Sequence, residues 1–160
     1  MLIEQISAMV HEFETKQFIK SDLQTVWTFM SSPKNLAKNT PPYMGFHILS
    51  DLKNTNMYPG QIISYKVSPI AGIKMRWVTE ITHVVHPTYF VDEQRFGPYT
   101  FWHHKHFLAE VPGGVEMTDI VHYKVPLGFI GNIINQLFIK AQLKKIFDYR
   151  FQKVEELFNK

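Results

Sequence analysis

The residues best equipped for chemistry in this 160-residue chain are the histidines of Trp102-His-His-Lys-His106 and two acids, Asp92 and Asp119. His104 and His106 stand two apart, so on a strand they share one face. A carboxylate beside an imidazole orients the ring and holds its tautomer, which makes Asp92 with either histidine a candidate acid–base pair. With Asp92 or Asp119 as third donor, the same residues form a two-histidine, one-carboxylate metal pattern. A strand His-x-His pair alone is a weak metal signal, and the expectation is no metal and no cofactor. A self-satisfied polar network that fixes strand register uses the same groups, and it is preferred to catalysis. No motif sets a serine beside them. The absence of cysteine removes thiolate nucleophiles, thiolate ligands and disulfides.

Such a cluster needs strands to hold it, and period-two patterning supplies them over 46–50, 61–67, 73–85, 89–96, 100–111 and 115–125. Turn residues separate these runs at Tyr58-Pro-Gly60, Ala71-Gly72, His86-Pro87, Gly97-Pro98 and Gly113-Gly114. Before them, residues 11–20 alternate loosely, and Ser21-Asp-Leu-Gln24 reads as a capping box opening a helix with Leu23, Val26, Trp27 and Met30 on its apolar face. Ser32-Pro33 predicts a second short helix, ended by Pro41-Pro42. From Gly131 on, Ile134, Leu137, Phe138, Ala141, Leu143, Phe147, Phe151, Val154 and Phe158 form the apolar stripe of a long helix. The class is therefore α+β. A curved antiparallel sheet of seven strands carries two short helices after its first strand and one long C-terminal helix over its concave face.

Alternation then assigns the inner wall. It takes Ile73, Met75, Trp77, Thr79 and Ile81; Phe90, Asp92, Gln94 and Phe96; Trp102, His104, His106 and Leu108; and Met117, Asp119, Val121 and Tyr123. A Gly113-Gly114 turn would set His106 opposite Val121 and His104 opposite Tyr123. Asp92 would lie opposite His104 or His106. The long helix would add Ile134, Phe138, Ala141 and Leu143, with Phe129, Ile130 and Ile133 in a buried loop or gate at the mouth. Phe101 and Phe107 face outward.

The net charge is only +3. Lys140, Lys144, Lys145, Arg150 and Lys153 read as a solvated helix face, so no nucleic-acid partner is expected. No run is long and apolar enough for stable membrane insertion, and the opening residues lack the pattern of a signal peptide, so a cytoplasmic protein is expected. Residues 1–160 fit one domain, with 1–10 as a possible N-terminal extension.

Several segments carry a family resemblance: Val26-Trp27, Ser32-Pro33-Lys-Asn-Leu36, Thr40-Pro41-Pro42, Trp77-Val-Thr-Glu-Ile81, Phe90-Val-Asp-Glu-Gln94, Gly97-Pro98, Trp102-x-His104-x-His106 and Asp119-x-Val121-x-Tyr123-x-Val-Pro126. In these the chain resembles the START-like, polyketide-cyclase-like (SRPBCC, helix-grip) ligand-binding superfamily, in particular a bacterial branch whose members are often named cell-division inhibitors or cyclases. The resemblance implies a helix-grip fold around a cavity, and with it binding or transport of a small hydrophobic molecule. The expected contacts are Trp77, Thr79, Phe90, Asp92, Gln94, Trp102, His104, His106, Asp119, Tyr123, Phe138 and Ala141. Two alternatives stand beside it. One is a cyclase- or dehydratase-like enzyme using His104, His106 and Asp92; the other is an interaction module for a partner oxidoreductase, docking through Phe101 and Phe107.

Overall fold

The computed structural model describes residues 10–52, 56–69 and 71–159; the proposed extension at 1–10 lies, but for Val10, outside them. The strands are β1 (His11–Ile19), β2 (His47–Ile48), β3 (Gln61–Val67), β4 (Met75–Val85), β5 (Tyr89–Phe96), β6 (Phe101–Val111) and β7 (Gly114–Lys124). They form one seven-stranded antiparallel sheet in the order β1-β7-β6-β5-β4-β3-β2. Between β1 and β2 lie helix α1 (Leu23–Met30) and two single 3-10 turns, Pro33–Asn35 and Pro42–Met44. After β7, α2 (Gly128–Ile134) runs through a π turn (Asn135–Ile139) into α3 (Lys140–Phe158). Fold class and strand count match the sequence pattern. The second short helix is reduced to two 3-10 turns, and Pro41-Pro42 ends the segment between them.

Four local expectations change. Helix α1 is capped by Asp22, not Ser21: Asp22 Oδ1 accepts from the Thr25 backbone N–H at 2.9 Å, and Oδ2 accepts from the Thr25 hydroxyl at 2.7 Å. The β6–β7 turn is Pro112-Gly113, with Gly113 at φ 88, and pairs Val111 with Gly114. The register therefore moves by two, setting His106 opposite Asp119, His104 opposite Val121 and Trp102 opposite Tyr123. On β5, Val78 pairs with Phe96 and Thr79 with Gln94, so Arg95 is an extra residue that flips the face. Phe96 consequently points out and is exposed, and Ile73, which precedes β4, is exposed as well.

The fourth change is in the last helix. A π turn holds one residue more per turn than an α-helix and rotates the stripe. The side turned to the sheet is Asn135, Ile139, Leu143, Phe147 and Val154, whereas Leu137, Phe138 and Ala141 face outward. Phe129, Ile130 and Ile133 lie on α2 and are exposed, in neither a buried loop nor a wall. Helix α3 is clipped to β1 by Gln17, whose amide donates to Phe151 O and to Glu155 Oε1, both at 3.0 Å, and by Asn159, which accepts from Lys20 N at 2.7 Å.

Two packed clusters result. One joins Val26, Trp27 and Met30 of α1 to Ile63, Ile81, Phe90 and Leu108 of the sheet; the other joins Leu143 and Phe147 of α3 to Val67, Trp77, Tyr99 and Val121. Gly114 allows the β1 and β7 backbones to meet, since a Cβ there would overlap the Ile19 carbonyl oxygen. Gly114→Ala is expected to lower the unfolding free energy by about 1–3 kcal/mol in urea denaturation; a change within about 0.5 kcal/mol would contradict this packing.

Candidate functional site

A cavity lies between the concave face of the sheet, the α1–β2 segment and α3. The centre of a water-sized sphere can occupy about 160 Å³ of it, roughly ten times the room one water needs. Apolar side chains from both clusters line it, among them Ile63, Ile81, Phe90, Trp77, Leu143 and Phe147. Trp77, Tyr99 and Trp102 pack edge-on or tilted, with centroids 4.9–5.7 Å apart.

One stretch of this wall is polar. Strand pairing sets Asp92 opposite His104 and Phe90 opposite His106, and the β6–β7 register brings Asp119 opposite His106. The four side chains close into a ring. Asp92 Oδ2 lies 2.8 Å from His106 Nε2 and 3.3 Å from His104 Nδ1. Asp119 Oδ1 lies 3.1 Å from His104 Nε2 and 2.7 Å from His106 Nδ1. The bonds from His104 Nε2 and His106 Nε2 are well aligned. His106 Nδ1 is close to Asp119 but off the direction a hydrogen bond requires, so that contact is Coulombic. The imidazoles pack at 3.7 Å, and Phe90 covers the far side of His106 at 4.0 Å. Trp102 Nε1 donates to Asp92 Oδ1 at 3.3 Å, and Arg150 of α3 reaches Asp119 at 3.6 Å.

Burial opposes charge at Asp92, Asp119 and His104, and their partners outweigh it. Desolvation raises Asp92, but contacts with His104 and then His106 bring its carboxyl below the ordinary carboxylate range. Desolvation likewise raises Asp119, and Arg150 followed by the two histidines holds it well below 3.8. For His104 burial lowers the pKa, yet Asp92 and Asp119 leave it above 6.5. Burial pushes the phenols of Tyr65 and Tyr99 upward, so both stay neutral on the wall.

Of the residues expected at the site, Trp77, Thr79, Phe90, Asp92, Trp102, His104 and His106 line the cavity. Asp119 stands behind the histidines at 1% exposure and does not reach it. Gln94 is withdrawn: its amide donates to Tyr99 O at 2.6 Å and accepts from Tyr99 N at 3.2 Å, bracing the Gly97-Pro98 turn. Tyr123 is buried beside the π turn, donating to Asn135 Oδ1 at 2.9 Å. Phe138 and Ala141 are turned to solvent by that π turn. The pattern missed Arg150, placing it on a solvated face; its three-residue step from Phe147 and four-residue step to Val154 set it on the buried stripe. Tyr65, Tyr99, Asn39 and Ile146 were missed too.

No family model matches the chain, and no curated protein matches it. Solved structures do resemble it. Protein Ms6760 from Mycobacterium smegmatis superposes with a TM-score of 0.66 at 15% identity, over 94% of this chain and 96% of that one. Ara h 8.0201 gives 0.60 at 16%, over 92% and 99%. A nucleoside-diphosphate sugar epimerase from Corynebacterium glutamicum gives 0.62 at 20%, over 90% of this chain and 28% of that one. These likenesses establish the helix-grip fold.

Stability should follow the ring. Asp92 and Asp119, lowered from 3.8, contribute stability present above that pH and lost as pH falls through their folded values. His104, raised from 6.5, contributes stability present below 6.5 and lost as pH rises through its folded value. In chelator-treated buffer Arg150→Leu is expected to cost about 3–5 kcal/mol near pH 8 and less near pH 5.5, where the His104 proton stands in for the guanidinium. Urea denaturation at both pH values checks this, and an equal loss at both would contradict it.

Proposed function

We propose that the protein binds one small, mostly apolar molecule carrying an oxygen function, with its apolar body against the aromatic and aliphatic wall and its polar end toward Asp92, His104 and His106. The observation that carries this reading is the lining itself, a mostly apolar concave wall with a polar stretch confined to neighbouring strands. Two wall groups support it: Trp77 Nε1, a donor, and Asn39 Oδ1, an acceptor, are buried and have no hydrogen-bond partner among the described residues. An unpaired buried group costs about 1–3 kcal/mol, which a ligand oxygen or hydroxyl would offset. The resemblance to ligand-binding START-like, polyketide-cyclase-like proteins agrees with a binding or carrier role in the cytoplasm. Among the described residues no helix is long and apolar enough to cross a membrane.

A cyclase- or dehydratase-like reading draws on one observation, that His104 and His106 meet Asp92 on the cavity wall. Under it, Asp92→Asn would keep ligand affinity and lose turnover. For docking of a partner oxidoreductase through Phe101 and Phe107, both rings are exposed, and His103 and Lys105 stand between them along β6.

Binding can be followed with 1-anilinonaphthalene-8-sulfonate, a fluorescent probe with apolar rings and one sulfonate. Ile146 is half-buried on α3 at the cavity wall, so Ile146→Trp should fill the space while the helix remains docked. The wild type is expected to bind one probe per chain, and the variant at least about tenfold more weakly, a difference of about 1.4 kcal/mol, with an unchanged circular dichroism spectrum. Undiminished binding to the variant would place the probe outside the cavity and count against the reading.

A further inference from the structure

We propose that Asp92, His104 and His106 hold a divalent transition-metal ion of the Zn²⁺ class, with its remaining coordination positions facing the cavity. This departs from the expectation of no metal drawn from the sequence. It goes beyond ligand binding and does not depend on it.

One donor atom from each of the three residues lies within 4.8 Å of the other two, and among the described residues no other trio of histidine and acidic groups converges in this way. The set arises from rigid elements: the histidines project from one face of β6, and Asp92 lies across from His104 on β5. Two imidazole nitrogens and one carboxylate oxygen suit zinc or ferrous iron, and three protein donors leave a position open.

The ring nitrogens turned away from Asp92 make the second observation. His104 Nε2 is hydrogen-bonded to Asp119 at 3.1 Å, His106 Nδ1 lies 2.7 Å from the same carboxylate as a Coulombic contact only, and Asp119 is itself backed by Arg150, so the tautomer argument applies to His104. A carboxylate behind the far nitrogen of a ligating histidine fixes the tautomer and raises the basicity of the near one.

The third observation is electrostatic. If His104 donates through Nε2 to Asp119, its Nδ1 presents a lone pair to the Asp92 carboxylate 3.3 Å away. Two carboxylates and a single guanidinium meet at this ring, so its geometry admits one further positive charge. Asp119 is sealed, with 2% of its side chain exposed, whereas Asp92 is open at 19% and lines the cavity. An ion entering from the cavity therefore arrives on the Asp92 side. The other histidine–carboxylate pairs, His103 with Glu93 and His122 with Glu12, sit on the outer face with no third donor grouped with them.

The test uses the full chain without a polyhistidine tag, stripped with a chelator that is then removed. Calorimetric titration with zinc chloride is expected to show one ion per chain, and cobalt(II) in its place the visible absorption of a four- or five-coordinate site. His106→Gln should abolish the stoichiometric phase. Asp119→Asn should weaken it by about 10–100-fold, and His103→Gln should leave it unchanged. Anomalous scattering from zinc-soaked wild-type crystals gives a reading that no variant's folding can disturb, with an ion expected between Asp92, His104 and His106. An empty position at saturating zinc, or stoichiometric binding that survives His106→Gln, would overturn the proposal. Probe binding by the wild type without any zinc binding would also overturn it while leaving the container intact.

Discussion

Two carboxylates inside a largely apolar domain face one guanidinium, and this imbalance constrains much else in the structure. Asp119 is among the most buried side chains, and its charge is tolerable only with cationic or hydrogen-bonding partners on every open side. Arg150 supplies one partner from α3, which ties that helix to β7. His104 and His106 supply the others from β6. The β6–β7 register is tied to the same need, because only Val111 opposite Gly114 brings Asp119 across from His106. A slip of two residues, as the Gly113-Gly114 turn would have given, removes that pairing.

The cavity is a consequence of where this ring sits. The ring occupies the middle of the concave face between two apolar clusters, one anchored by α1 and one by α3. Side chains large enough to fill the space, chiefly Trp77, Tyr99 and Trp102, pack against one another along the sheet instead of across it. Concave space beside buried polar groups is the condition for specific recognition: apolar walls supply affinity, and a few fixed polar atoms set orientation. Any chemistry at this fold must be read from those atoms, since the fold hosts many functions.

Strand periodicity was legible because alternation is a property of the chain alone, and it placed Trp77, Phe90, Asp92, Trp102, His104 and His106 on one wall. Whatever depends on an extra residue was not legible. The bulge at Arg95 exposed Phe96, and the π turn moved Phe138 and Ala141 off the inner face; each is a shift of phase that leaves composition unchanged. Arg150 was hidden for another reason. Beside Lys144, Lys145 and Lys153 it reads as a solvated cation, and its burial follows only once Asp119 is known to need one. Gln17 and Gln94 were misread or missed because their partners are backbone groups distant in sequence or beyond a turn.

The charge state of the ring is therefore the quantity on which the account turns. Long-range proton–nitrogen correlation spectra of the imidazole side chains, recorded on metal-free protein at pH 6.5, report how many ring nitrogens of His104 carry protons. With its folded value raised by Asp92 and Asp119, His104 is expected to carry protons on both nitrogens in more than half of the molecules. A ring that is mostly neutral at this pH would contradict the arrangement.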